Sequence, residues 1–221
     1  MISIRSRFYF ISAAAFVAVA VGLVLSYRHF ALKEAIRSQA AQNVALTRAL
    51  TNMLWPRFAG HVKAASPARL DDLRASVAAM EFNKEIAQDL RNTPVQRVKV
   101  YNVTGLTVFS SNLGQIGESR ADNPGFRQAA DQLIPSSVLS FRATFTGFAG
   151  MKNSVYLVET YIPIEGERGG IEGIFELYTE IDAAIEHVRA ATIRFGAIVA
   201  AGLGLLYAGL AIVLRRIQPG A

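Results

Sequence analysis

Two uncharged runs of twenty residues, 8–27 and 195–214, restrict most strongly how this chain can fold. Twenty helical residues rise about 30 Å, which matches the hydrocarbon core of a lipid bilayer. Residues 179–194, which precede the second run, contain no proline or glycine, so an amphipathic helix is expected to continue directly into it. The sequence therefore predicts two membrane-spanning helices that bracket a loop at residues 28–194.

The distribution of charge predicts which side of the membrane the loop occupies. The 221-residue chain is 52% hydrophobic with a mean hydropathy of +0.28, and its net charge is +6. All 17 acidic residues lie in the loop, whereas four arginines lie at the outer ends of the two runs: Arg5, Arg7, Arg215 and Arg216. By the positive-inside rule, both termini are cytoplasmic and the loop is exported. A nucleic-acid-binding surface is not indicated, because the loop is nearly neutral.

A cleaved signal peptide is the alternative interpretation of the first run. Its apolar part is longer than the roughly 7 to 15 residues of a signal sequence. Ser26, Tyr27 and Arg28, which follow it, do not form a cleavage site of small residues. An uncleaved anchor is therefore favoured. The chain has no cysteine, which excludes disulfides, thiolate nucleophiles and thiolate metal sites.

Helical periodicity continues beyond both runs. One series with alternating steps of four and three comprises Leu32, Ile36, Gln39, Asn43, Leu46, Leu50 and Met53, and a second comprises Ile181, Ile185, Val188, Thr192 and Phe195. These series fit a four-helix stalk in a homodimer, and they fit equally a stalk that packs against its own domain. Pro56 is expected to kink or end the first helix. Thr179 and Asp182 predict a capping box at the start of the last helix.

The loop between the stalk segments alternates between helical and strand patterns. A helical passage after Pro67 is followed by strands at 95–103 and 106–110, where Val98 and Val100 alternate with charged residues. Asn123 and Pro124 predict the start of a helix at 125–133. Three further strands are expected at 138–145, 155–164 and 171–178. In the first of these, Phe141 and Phe145 share one face and Arg142 lies on the other.

Three segments resemble the single Cache sensor domains, which are PAS-like, of bacterial transmembrane receptors. They are VKVYNVTGLTVFSS at 98–111 with the residues at 115–118, the residues at 123–126, and IFELYTEI at 174–181. The resemblance covers nearly the whole chain and is closest to the input regions of sensor histidine kinases and diguanylate cyclases. It implies an α+β fold, with a PAS-like five-stranded antiparallel sheet that holds a small molecule on one face and a long N-terminal helix on the other.

The predicted domain organisation follows from the runs and from the resemblance. It consists of a cytoplasmic N-terminus at 1–7, a first transmembrane helix at 8–27, a long helix at 28–66, a PAS-like sensor domain at 67–178, an output helix at 179–194, a second transmembrane helix at 195–214 and a cytoplasmic tail at 215–221. Such receptors normally continue into a cytoplasmic transmitter. This sequence contains no phosphoacceptor-histidine box, ATP-binding glycine loop or GGDEF sequence. A kinase or cyclase domain is therefore expected as a partner in cis or in trans, and no enzymatic activity is expected of the chain itself.

Candidate site residues are polar or aromatic side chains on strands. Arg142, flanked on its face by Ser140 and Thr144, favours a carboxylate ligand through bidentate hydrogen bonds. The other candidates for ligand binding are Tyr101, Tyr156, Tyr161, Tyr178 and Arg120. A solvated strand face for Arg142, and ordinary core packing for the tyrosines, remain the alternatives. The three histidines lie at no metal-binding spacing, so no metal site is predicted. No catalytic residue and no cofactor is predicted either.

The predicted function is therefore extracytoplasmic sensing of a small molecule, with transduction across the inner membrane of a bacterium. The ligand is expected to be anionic, and the receptor is expected to be a homodimer. The alternative is an envelope scaffold with two membrane helices, whose exported domain binds another protein.

Overall fold

The computed structural model describes residues 4–90, 92–166 and 169–217. It divides into two compact units, one at Ile36–Asp182 and one that combines Met1–Ala35 with Ala183–Ala221. The helices are α1 (Ile4–Ala64), α2 (Leu70–Ala75), α3 (Val77–Asp89), α4 (Pro124–Gln132) and α5 (Asp182–Ile217), with short 3-10 helices at Pro67–Arg69 and Leu113–Gln115. The strands are β1 (Val95–Tyr101), β2 (Thr107–Ser110), β3 (Ser136–Gly147), β4 (Gly150–Glu165) and β5 (Ile171–Glu180).

The five strands form one antiparallel sheet in the order β2-β1-β5-β4-β3. The predicted α+β class with a five-stranded antiparallel sheet and a long N-terminal helix is confirmed. One face of the sheet is apolar and carries Val98 and Val100 of β1, which pack in the same core as α1 and α3. The other face is polar and carries the candidate site.

The core beneath the apolar face is built from aliphatic and aromatic side chains. Helix α1 contributes four buried residues at helical spacing, namely Leu50, Leu54, Phe58 and Val62. The ring of Phe58 lies edge-on to the rings of Phe82 and Phe109, at 5.4 and 5.6 Å between centroids. Burying each such side chain contributes about 1.5–3 kcal/mol. This packing fixes α1 against the sheet.

Local side-chain hydrogen bonds specify the turn between β1 and β2 and the start of α4, the second of which is predicted above. Asn102 Oδ1 accepts hydrogen bonds from the backbone nitrogens of Thr104 and Leu106, and Gly105 has a φ of +85°. A Cβ at Gly105 would lie 2.6 Å from the backbone nitrogen of Ala121, so glycine is required there. At the start of α4, Asn123 Oδ1 accepts a bond from the nitrogen of Phe126, and Pro124 is the first helical residue.

The ends of the long helices depart from two local signals. Helix α1 does not end at Pro56 but continues to Ala64, within the long helix predicted at 28–66, and a kink at Pro56 stays a prediction. The capping box at Thr179 is wrong, because Thr179 lies in β5 and α5 begins at Asp182. The side chain of Asp182 instead accepts a hydrogen bond from the backbone nitrogen of Tyr156, at 3.1 Å. Strand pairing satisfies Thr179, so the local capping pattern is not used.

Part of the first helical series, from Leu32 to Met53, is buried against the domain to which it belongs. Asn43 and Leu50 are buried in the Ile36–Asp182 unit, whereas Met53 remains 53% exposed. This part of α1 therefore satisfies the alternative in which the stalk packs against its own domain. The homodimeric stalk stays a prediction.

The predicted alternation in β3 is wrong at its C-terminal end. Phe141 is 54% exposed, but Phe145 is buried and packs with Val155, Leu157 and Tyr178. Ser154 of β4, which precedes Val155, has a positive φ of 54°. A left-handed residue inside a strand disturbs the strict alternation of faces, and Phe145 is thereby placed on the polar side of the sheet.

The second unit contains helical segments that meet the length and composition requirements for crossing a membrane. The stretches that qualify among the described residues belong to the helices Tyr9–Ala64 and Asp182–Leu214. Within the unit, the rings of Tyr27 and Phe195 stack at 4.5 Å, and the Tyr207 hydroxyl donates to the carbonyl oxygen of Tyr9 at 3.0 Å. The side chains of Arg5, Arg7 and Arg215, and residues 218–221 of the predicted tail, lie outside the described part of the chain.

Candidate functional site

The polar face of the sheet concentrates ionisable side chains from its three central strands. In the register, Lys99 of β1 and Tyr161 of β4 both lie opposite Glu176 of β5, and Glu159 of β4 lies opposite Tyr178 of β5. These five residues are all at most 4% exposed. A sheet face this rich in buried charge is costly to build unless the charges are paired or bind something.

A cavity of about 270 Å³ opens on this face, and we call it the arginine cavity. Its lining residues are Arg97, Gln115, Arg120, Arg142, Thr144, Phe145, Thr146, Met151 and Tyr178. Three of them are arginines, and none of the described lining residues is acidic. The cavity therefore presents guanidinium groups, hydroxyls and an amide to its contents.

Arg142 is held in place by an ion pair with a buried carboxylate. Its Nη2 lies 2.6 Å from Glu159 Oε1, and the hydroxyl of Ser140 donates to the same oxygen at 2.6 Å. The Glu159 side chain is 6% exposed, whereas that of Arg142 is 46% exposed. The hydrogen bond to Glu159 raises the pKa of Arg142. The guanidinium thus stays charged, anchored on one side and open to the cavity on the other.

Arg97 is placed by its backbone and aromatic contacts. It donates to the carbonyl oxygen of Thr146, and its guanidinium carbon lies 4.0 Å from the centre of the Phe145 ring and 5.5 Å from that of Tyr178. Burial lowers the pKa of Arg97, but not enough to neutralise a guanidinium near neutral pH. The aromatic rings stabilise this cation, and no ion pair joins it to an acidic side chain among the residues that the structure describes.

A second layer of ionisable groups lies behind the cavity lining. The Tyr101 hydroxyl donates to Glu176 Oε2, and both residues have no exposed surface. Burial raises the pKa of Glu176, and it raises the pKa values of Tyr101 and Tyr161 as well. Burial lowers the pKa of Lys99 to about 8, and the negative charge of Glu176 partly offsets this lowering. These shifts favour the neutral forms in this layer.

Four buried polar atoms around the cavity have no hydrogen-bond partner among the described residues. Two are donors, Lys99 Nζ and Arg120 Nε, and two are acceptors, Gln115 Oε1 and Glu176 Oε1. Lys99 Nζ does lie 3.7 Å from Glu118 Oε2, beyond hydrogen-bond distance. Buried polar groups are nearly always satisfied in folded proteins. Of these residues, Gln115 and Arg120 line the cavity, so their orphaned atoms are placed to meet polar atoms from outside the chain. Lys99 and Glu176 have no exposed surface, and orphaned atoms of Thr47 and Asn83 lie away from the cavity.

The structure separates the predicted site residues into three groups. Arg120, Arg142 and Tyr178 line the arginine cavity. Tyr101 and Tyr161 are buried behind it and do not line it. Tyr156 lies outside the cavity, where its partly exposed ring is 5.0 Å from that of Phe141.

Several residues of the site were not predicted. Arg97 and Lys99 alternate with Val98 and Val100 in the sequence, so the signal for a polar sheet face was present. Glu176 gave no such signal, because it lies within a strand of mostly apolar residues. No group of three His, Cys, Asp or Glu side chains that could hold a metal ion occurs in the described part of the chain.

Comparison with known proteins gives no match to a family model and no match to a curated protein. Solved structures do match. The periplasmic domain of RsbU from Chlamydia trachomatis has a TM-score of 0.55 at 10% identity, over 81% of this chain and 58% of that one. The sensor domain of the histidine kinase DctB from V. cholerae has a TM-score of 0.36 at 14% identity, over 74% and 60% of the two chains. An extracellular ligand binding receptor from Desulfohalobium retbaense has a TM-score of 0.36 at 16% identity, over 72% of this chain and 26% of that one.

By their names, two of these neighbours are a histidine kinase sensor domain and an extracellular ligand binding receptor, and the third is a periplasmic domain. This chain spans less than two thirds of the length of each of these three neighbours. At 10% sequence identity, the likeness to the RsbU domain shows a shared fold and does not show a shared function. The TM-scores of the other two neighbours are too low to support a conclusion.

Proposed function

We propose that this chain is the sensing region of a bacterial two-pass membrane receptor, and that its arginine cavity binds a small molecule that carries a carboxylate. The observation that carries the proposal is the set of three guanidinium groups around one cavity without an acidic lining residue among those described. Arginine pairs with carboxylates through two parallel hydrogen bonds. One of the three guanidinium groups, that of Arg120, has a donor without a hydrogen-bond partner among the described residues, its Nε.

The cavity volume limits the size of the ligand. Drug-sized ligands occupy pockets of about 300–1,000 Å³, and the arginine cavity measures about 270 Å³. This volume suits an organic acid or amino acid of a few carbon atoms.

The position of the cavity suits transmission of a signal along β5. Tyr178 of the cavity is followed by Glu180, which forms an ion pair with Lys152, and by Asp182, where α5 begins. Ligand binding that shifts β5 would therefore alter the start of α5. To move a population from 1:99 to 99:1, the ligand must favour one state by about 5.5 kcal/mol. Helix α5 contains no proline, so it is suited to carrying the displacement onward.

The cellular arrangement forms part of the same proposal. The helix lengths and the arginine distribution support a domain outside the inner membrane, cytoplasmic termini and the domain boundaries given above. A homodimer would unite the helical stalks. The signal would pass to a kinase or cyclase domain, in cis or in trans.

A thermal-shift screen of the full chain in detergent micelles tests the binding proposal. The panel would contain acetate, succinate, glutamate and putrescine, with sodium chloride at matched ionic strength. A ligand at about 100 times its Kd stabilises the folded state by about 2.7 kcal/mol, which corresponds to roughly 5–10 °C in Tm for a protein of this size. We expect such a rise with a carboxylate and none with putrescine. A rise with putrescine alone would contradict an anionic ligand.

A second candidate function is a scaffold that binds another envelope protein. Exposed aromatic side chains on neighbouring strands favour it, since Phe141 of β3 and Tyr156 of β4, whose rings lie 5.0 Å apart, are 54% and 38% exposed. Exposed apolar patches of this kind are common at protein interfaces. A screen in which no small molecule stabilises the chain would favour the scaffold over the sensor.

A further inference from the structure

A buried polar cluster lies on the α1 side of the sheet, opposite the arginine cavity. Asn43 Nδ2 of α1 donates to Thr160 Oγ1 of β4, and Thr179 Oγ1 of β5 donates to Asn43 Oδ1, both at 2.9 Å. All three residues are at most 1% exposed, and we call them the Asn43 cluster. Gln39 supports it by donating to Asn43 Oδ1 at 3.1 Å, and Ser137 donates to Thr160 Oγ1 at 3.2 Å.

The cluster differs in kind from the apolar contacts of α1 with the domain. Leu50, Leu54, Phe58 and Val62 make apolar contacts, which are non-directional and tolerate small sliding movements. Near the C-terminal end of α1, Trp55 Nε1 donates to Glu172 Oε2 at 2.9 Å and Lys63 pairs with the same carboxylate, but these polar contacts are partly exposed. Hydrogen bonds weaken steeply with distance and angle. A shift of the helix along the sheet would leave buried amide and hydroxyl groups unsatisfied at Asn43. The cluster therefore fixes the position of α1 relative to β4 and β5.

The strands that hold Asn43 also hold the cavity on their other face. Thr160 directly follows Glu159, the partner of Arg142, and Thr179 directly follows Tyr178, a lining residue of the cavity. Successive residues of a strand point to opposite faces. Glu159 and Tyr178 also lie opposite each other in the register. A displacement of these two strands at the cavity must therefore move both partners of Asn43.

We propose that Asn43 is a positioning residue that couples β4 and β5 to α1, so that occupation of the arginine cavity is passed to α1 as well as to α5. This inference rests on the proposed sensing function. A leucine at this position would bury apolar surface without needing partners, whereas asparagine is favourable only in one register. That requirement for register explains a polar residue at this buried position of α1.

Spin-label distances in the full chain test the coupling. The chain has no cysteine, so Ala45→Cys on α1 and Val103→Cys on the β1–β2 turn, both exposed, introduce the only two labelling sites. The chain is reconstituted in nanodiscs and diluted with unlabelled chain, so that distances between copies do not contribute. Glu159→Gln breaks the ion pair with Arg142 and serves as the change at the cavity. The measured quantity is the shift in the distance between labels that Glu159→Gln causes.

We expect Glu159→Gln to shift this distance by about 1–2 Å, the usual size of helix shifts in switching proteins. The shift should persist in Thr179→Ser, which keeps the hydroxyl, and should disappear in Thr179→Val and in Asn43→Leu. Thr179→Val is nearly isosteric, so it tests the hydrogen bond even if Asn43→Leu fails to fold. An equal shift in Thr179→Val, or no shift with the cluster intact, would overturn the proposal.

The result does not depend on the identity of a ligand. A screen without a stabilising compound would count against the sensing function, while the spin-label distances would still report whether cavity and α1 are coupled. The two proposals therefore fail on different observations.

Discussion

At the scale of single residues, the candidate site combines charges that the protein satisfies with charges that it leaves open. Glu159 neutralises one side of Arg142, and the rings of Phe145 and Tyr178 stabilise Arg97. Arg120 Nε, in the cavity lining, has no hydrogen-bond partner among the described residues. Such a set is expensive to bury unless a ligand supplies the missing partners.

Replacing Arg142 with alanine should weaken ligand binding. The loss of a charged hydrogen bond costs at least about 1.5 kcal/mol, which is roughly a tenfold increase in Kd. Calorimetric titration with the carboxylate selected by the thermal-shift screen measures this change in Kd. The matched control is Arg127→Ala, since Arg127 is 61% exposed, pairs with Asp122 and does not line the cavity. Equal affinities of the two variants would rule out Arg142 as a ligand-binding residue.

The buried Lys99 should make stability depend on pH. Its pKa is about 8 in the folded protein and about 10.4 in an unfolded chain. Between these values the unfolded state binds more protons, so the free energy of unfolding rises with pH. From pH 7.5 to 9.5 the expected gain is roughly 2 kcal/mol. Denaturant titrations of the full chain in micelles at several pH values measure it.

The Lys99→Met variant is the control for this pH dependence. It should remove the rise between pH 7.5 and 9.5, because methionine has no titrating group. Measurements stay below pH 9.5, since burial raises the pKa values of Tyr101, Tyr161 and Tyr178 and their ionisation would begin to favour the unfolded state above it. A wild-type stability that is flat over this window would show that Lys99 is not held as a buried ammonium at neutral pH.

At the scale of elements, Pro56 is the clearest local conflict with the fold. It lies in the interior of α1, where proline removes a backbone hydrogen bond and crowds the preceding turn. Pro56→Ala should therefore raise the free energy of unfolding, by about 1–3 kcal/mol. Thermal unfolding of the full chain measures this, with Pro94→Ala before β1 as the control outside a helix. A lower Tm for Pro56→Ala would mean that the ring is needed where it packs.

The elements that the sequence predicts well are those with local signals. Asn123 and Pro124 specify the start of α4 through one side-chain hydrogen bond and one fixed backbone angle. Helix α1 continues past Pro56, and Thr179 does not cap α5, because tertiary packing of α1 and pairing of β5 override the local preference at these positions. Such long-range contacts cannot be read from a short window of sequence.

The same distinction applies to the candidate site. The polar face of β1 is visible in the alternation of Arg97 and Lys99 with valines, and Arg142 is visible as a polar residue in β3. The approach of Arg120 to the cavity depends on the loop that follows β2, and the switch of Phe145 to the polar face depends on Ser154. These features arise only when the strands are assembled.

At the scale of the whole molecule, the sheet separates two kinds of contact. Its polar face holds the arginine cavity, and its apolar face holds α1 through a hydrophobic core and the Asn43 cluster. Both α1 and α5 contain segments long and apolar enough to cross a bilayer. The proposed receptor thus has two helices through which a change at the cavity can leave the domain.

The most direct test of an exported sensor is the accessibility of single cysteines in intact cells. Val103→Cys lies on the β1–β2 turn of the domain, where the native side chain is 55% exposed, and Arg5→Cys lies before the first predicted span. We predict that a membrane-impermeant maleimide labels Val103→Cys in intact cells and labels Arg5→Cys only after permeabilisation. Labelling of both cysteines only after permeabilisation would place the domain and the N-terminus on the same side, and would contradict the proposed receptor.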